Sequence, residues 1–149
     1  MKMQKSMLCV LLSFICAASM AQKTDTRQKL FSAYPADVTL DRSVISTSFE
    51  YTKGATVTVP FSSSFKFTGT VISNESKYDN LQTVLIRSSD NNTVFQLNKI
   101  INPDKSISYT GRTFNDNSAD GYEVKNNNGN YSLQKFETAR ALEPCHNTL

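Results

Sequence analysis

An all-β fold, built as an antiparallel meander of about seven strands, follows from three features of this sequence. From Gly54 onward, apolar and polar residues alternate with period two, the repeat of a strand that is greasy on one face and wet on the other. Clusters of Pro, Asn, Asp, Gly and Ser break that alternation at short intervals. The connections between segments are too short for the crossover that a parallel return requires, so neighbouring strands must run antiparallel.

Taken in order, the elements begin with a polar stretch, Gln22–Arg27, that carries no structural signal. Lys29–Tyr34 allows one helical turn, which Pro35 ends because proline disfavours helix in the residue before it. In Val38–Tyr51, the residues Leu40, Val44, Ile45 and Phe49 recur at helical spacing and Asp41 is available as an N-cap. Ser, Thr and β-branched residues weaken that helix, so it is expected to be short.

The strands follow. Val57, Val59 and Phe61 share one face of the first, with Thr56 and Thr58 opposite. Phe65, Phe67 and Val71 share a face of the second, against Lys66, Thr68 and Thr70. Gln82–Ser88 carries Val84, Leu85 and Ile86 in succession, as a central strand does. Then come Phe95 and Leu97, Ile107 and Tyr109, Tyr122 and Val124, and Tyr131 and Leu133, each pair bracketing a polar residue. Between them lie Pro60 with Ser62–Ser64, Ser89–Asn92, Asn102-Pro103-Asp104-Lys105, and Asn127-Asn128-Gly129. The last supplies residues that accept positive φ, as a tight hairpin demands. One-sided strands must hide their apolar faces, either by closing into a small barrel or as a curved sheet covered by the Val38–Tyr51 segment.

The first residues read differently. Lys2 and Lys5 precede an apolar run, Met7–Ala18, and Ser19-Met20-Ala21 places small residues three and one positions before Gln22. This is the layout of a secretory signal peptide. The run is shorter than the roughly 20 residues needed to span a bilayer, and no second such run follows. The Ala21-Gln22 junction resembles those of exported Gram-negative bacterial proteins, so a secreted or periplasmic location is expected. The organisation is then a leader over 1–21, a polar segment over 22–37, a single β-domain over 38–137 and a loose tail over 138–149.

Composition narrows the function. The formal charge of +3 loses Lys2 and Lys5 with the leader and falls to about +1. No Lys/Arg run interrupts the remainder, which removes the electrostatic footprint of nucleic-acid binding. Of three cysteines, Cys9 and Cys16 lie in the leader. Cys145 is left single, so the fold rests on its hydrophobic core rather than on disulfides. A lone thiol in an oxidising compartment is a candidate reactive group, but a position near the terminus favours the reading of an inert side chain in a loose tail.

Candidate chemistry is sparse. Asp116-Asn117-Ser118-Ala119-Asp120-Gly121 places side-chain oxygens on Asp116, Ser118 and Asp120 at the first, third and fifth positions, then glycine, in the order of a calcium loop. The twelfth position is Asn127 instead of a bidentate Glu, strands rather than helices flank the loop, and ordinary turns use the same residues. No other cofactor is indicated. His146 is the single histidine and is adjacent to Cys145, where side chains diverge in an extended chain and cannot act as nucleophile and base. Asn74-Glu75-Ser76, Asn91-Asn92-Thr93 and Asn130-Tyr131-Ser132 match a glycosylation triplet that matters only in a host that modifies it. Tyr51, Tyr78 and Phe114 fall on loops or off the dominant apolar parity, where aromatics either bind glycans and protein partners or pack locally.

The expectation is an exported, non-enzymatic β-module for binding or protein interaction. A carrier holding a small apolar ligand in a cavity, and a pro-segment or inhibitor acting through Cys145, are the alternatives. The partner is an unspecified protein or a small apolar ligand. Nucleic acid is not expected, nor is a transmembrane segment once the leader is removed.

Overall fold

Alternation of side chains from Thr56 onward produces the seven consecutive strands that the sequence predicts, and an eighth joins them from upstream. The computed structural model describes residues 26–138; residues 1–21, expected as a leader, and Cys145 and His146 lie outside them. The elements are β1 (Asp37–Leu40), α1 (Arg42–Thr47), a 3-10 turn (Ser48–Glu50), β2 (Thr56–Pro60), β3 (Lys66–Tyr78), β4 (Leu81–Ser88), β5 (Val94–Ile101), β6 (Ile107–Phe114), β7 (Asp120–Asn127) and β8 (Asn130–Glu137). Among the described residues the strands form one antiparallel sheet in the order β1-β8-β7-β6-β5-β4-β3-β2. The sheet curls into a half-barrel, with β1 and β2 as its edges. Of the two ways to hide the apolar faces, the chain takes the covered sheet.

The core lies on the concave side. Val59, Val71, Val84, Ile86, Phe95, Leu97, Tyr122 and Leu133 are fully buried, each on the apolar parity of its strand. Phe31, Ile45 and Phe49 cover them from the segment upstream of β2. Phe49 stacks on Tyr109 with ring centroids 5.7 Å apart, and Phe31 meets Tyr122 edge-on at 5.3 Å.

The helix expected in Val38–Tyr51 forms only from Arg42 to Thr47. Asp41 caps it, its carboxylate accepting from the Ser43 amide at 2.8 Å. The backbone and hydroxyl donors of Ser43 hold the Asp41 pKa below its ordinary value. Val38 and Leu40 belong instead to β1, which pairs with β8 through Val38–Leu133 and Leu40–Tyr131. Two amides close the exit from the 3-10 turn: Asn74 Nδ2 donates to the carbonyls of Phe49 and Tyr51, and Gln82 Nε2 donates to that of Phe49. Asn74 faces inward because a bulge at Ile72 shifts the parity of β3 by one residue.

The turns follow their chemistry. Asn128 and Gly129 take φ of 53° and 90° in a two-residue hairpin loop. In Asn102–Lys105 the Lys105 amide donates to the Asn102 carbonyl at 2.9 Å. Asp104 accepts from the hydroxyl and amide of Ser106, which lower its pKa. No helix among the described residues is long and apolar enough to cross a membrane.

Candidate functional site

The loop that resembles a calcium site is occupied with another task. Ser118 and Asp120 are buried together, the Ser118 hydroxyl 2.9 Å from the Asp120 carboxylate. Both Asp120 oxygens accept from the Phe31 amide at 3.2 Å, and the Ser118 hydroxyl receives the Leu30 amide. Gln28 bridges to Ser118. Lys135 completes the attachment by donating its ammonium to the carbonyls of Phe31 and Tyr34. The Tyr122 hydroxyl donates to the Pro35 carbonyl. The oxygens of Ser118 and Asp120, together with Lys135 and Tyr122, thus fasten the segment from Gln28 to Pro35 over the end of the core. Asp116 is exposed and meets Arg27 only through its backbone carbonyl among its described hydrogen bonds. Among the described residues, no three His, Cys, Asp or Glu side chains come together as a metal-binding group.

A candidate surface lies on the opposite, convex face of the sheet, where β6 and β7 meet. Their ladder is short: only Gly111–Val124 and Arg112–Glu123 pair in register. Beyond it the Tyr122 amide turns to the Thr113 hydroxyl at 2.8 Å, in place of a backbone carbonyl. Gly121 permits this close approach, because a Cβ there would stand 2.7 Å from that hydroxyl and 2.9 Å from the Phe136 ring. Two hollows open along this seam. One, about 190 Å³, is bounded by Arg27, Phe114, Asn115, Asp116 and Phe136. The other, about 310 Å³, is bounded by Gln96, Asn98, Thr110, Phe114 and Glu123.

Arg112 and Phe114 line both hollows and form the ridge between them. The guanidinium carbon of Arg112 lies 5.7 Å from the ring centroids of both Phe114 and Phe136, in cation-π range. Glu123 stands 3.9 Å from the guanidinium and 2.8 Å from the Lys125 ammonium. Glu123 is thus shared between two cations, and these partly exposed ion pairs contribute little energy. Beside the ridge runs a relay of neutral groups. Asn98 Oδ1 accepts from the Thr83 hydroxyl at 3.0 Å and from Gln96 Nε2 at 3.1 Å, and Asn98 Nδ2 donates to the Thr110 hydroxyl at 3.3 Å.

Of the aromatics singled out in the sequence, Phe114 is 44% exposed on this ridge and Tyr78 is 70% exposed at the end of β3. Tyr51 packs against the core instead. Arg112 and Phe136 carry no sequence signal of their own, since their meeting depends on how β6, β7 and β8 register. Comparison of the chain with protein-family models, with curated proteins and with solved structures finds no match.

Proposed function

We propose that this chain is an exported, non-catalytic β-module that binds its partner through the convex face of the sheet. The leader over 1–21 supports export. The observation that carries the binding reading is the Arg112–Phe114 ridge, an exposed aromatic and a held guanidinium between two hollows. The concave side is filled by Phe31, Phe49, Phe65, Phe95, Tyr109 and Tyr122, which directs the reading to the outer surface. Exposed aromatic and Arg side chains are the residue types that concentrate binding energy at interfaces.

The test compares the wild-type protein with an Arg112→Ala/Phe114→Ala double variant on arrays of oligosaccharides and of peptides. Retention of one class by the wild type and its loss in a folded double variant is the expected result. Equal retention by both proteins would place binding elsewhere and end this reading.

A further inference from the structure

We infer that the occupant of the seam between β6 and β7 is a neutral oligosaccharide chain, an inference that rests on the convex-face reading above and specifies its ligand. A sugar ring presents polarised C–H groups on its faces and hydroxyls, each both donor and acceptor, around its rim. The seam offers the converse. Phe114, 44% exposed with the Arg112 guanidinium over its ring, leaves apolar ring surface for C–H contact. Gln96, Asn98 and Thr110 line the same hollow with groups that both donate and accept, and Arg112 adds a planar fork of N–H donors.

Each competing ligand class meets an obstacle at this surface. A carboxylate-rich peptide would be drawn to Arg112, but each hollow already carries a carboxylate, Asp116 in one and Glu123 in the other, that would repel the newcomer. An apolar molecule would strip water from Gln96, Asn98 and Glu123 without returning hydrogen bonds, which is costly. A polyhydroxylated neutral ligand returns those bonds. The relay through Asn98 also holds the amides of Gln96 and Asn98 in place before any ligand arrives, so less rotamer freedom is lost on binding. Two hollows joined at one ridge suit a chain of linked sugars, with one ring on either side of Phe114, better than a single small molecule.

The experiment is a heteronuclear NMR titration of the mature protein with three neutral oligosaccharides (cellotetraose, laminaritetraose and maltotetraose), a tetragalacturonate and a glutamate-rich peptide. Expected are shifts of the Gln96 and Asn98 side-chain amides and of the Arg112, Phe114 and Phe136 backbone amides with at least one neutral oligosaccharide. Phe114→Ala should weaken that affinity about tenfold or more. Thr58→Ala, on the same face but beside the β2 edge, should leave it unchanged. If the acidic peptide or the galacturonate moves these resonances and no neutral sugar does, the oligosaccharide inference fails while the convex-face site stands. If ligands move only resonances away from the seam, both fail. If none of the five moves the seam, the oligosaccharide inference fails and the array comparison alone decides the other.

Discussion

Asp120 shows how one residue type can serve two chemistries that a sequence does not separate. Its spacing from Asp116 and Ser118 is that of a cation loop, yet its oxygens are met by the Phe31 amide and the Ser118 hydroxyl. The deciding partner lies almost ninety positions upstream, in a segment whose polar composition conceals the single buried Phe31. Phe114 was legible because it breaks the parity of its strand; Arg112 was not, because a polar residue at a polar position carries no signal. Tyr122 belongs to the same docking contact and has a measurable consequence. Burial first, and the nearby Asp120 and Tyr34 next, push its hydroxyl pKa up to about 12 from 10.0. The protonated form is the one the fold favours, so this stability is fully present below about pH 10. It declines as pH rises through 10 toward 12. In Tyr122→Phe the ring packing persists and the hydrogen bond to the Pro35 carbonyl is lost, at about 1 kcal/mol near neutral pH. Urea unfolding of both proteins from pH 7 to 12 should show a shallower alkaline decline in the variant. Parallel declines would mean that another group carries the alkaline response.

At the level of elements, period-two alternation located β2 to β8 because each strand buries one face, and the side chains record it. What escaped were places where another contact overrides the pattern. Val38 and Leu40 match the helical spacing of Val44, Ile45 and Phe49, but β8 recruits them as β1. The outer half of β3, Ser73–Tyr78, is polar and follows a bulge, so its continuation as strand depends on pairing with β4 rather than on its own pattern. Gly69 marks the sharpest constraint within this ribbon. A Cβ there would lie 2.2 Å from the Arg87 carbonyl oxygen, a backbone atom that cannot swing aside. Gly69→Ala must therefore separate β3 from β4 at this point and should cost roughly 1–3 kcal/mol, the range of overpacked sites. Equilibrium denaturation measures the loss, and amide exchange should locate it at the Thr70–Arg87 pair. A stability within a few tenths of the wild type would show that the two strands slide apart freely and that their close approach is not a constraint.

Across the whole molecule, the order of assembly follows from which contacts are local. The meander from β2 to β8 joins neighbours in sequence, whereas β1–β8 pairing and the Gln28–Ser118 bridge connect the beginning of the domain to its end. Leu97 pairs with Gly111 across one turn, while Leu40 pairs with Tyr131 and closes a loop several times longer. Loop closure costs about 0.6 kcal/mol more for each doubling of length, and that cost must be met before the distant contact returns anything. The meander should therefore form first, with β1, α1 and residues 28–36 settling over its concave side afterwards. Leu40 and Leu97 are both buried, so either change to alanine should destabilise by about 2–5 kcal/mol. The two losses should divide differently between the rates. Leu97→Ala should slow refolding, because its contacts are present at the barrier; Leu40→Ala should leave refolding nearly unchanged and speed unfolding. Stopped-flow urea chevrons resolve the two arms. An equal slowing of refolding in Leu40→Ala would mean that β1 is already docked at the barrier, and that the half-barrel closes around its covering segment in a single step.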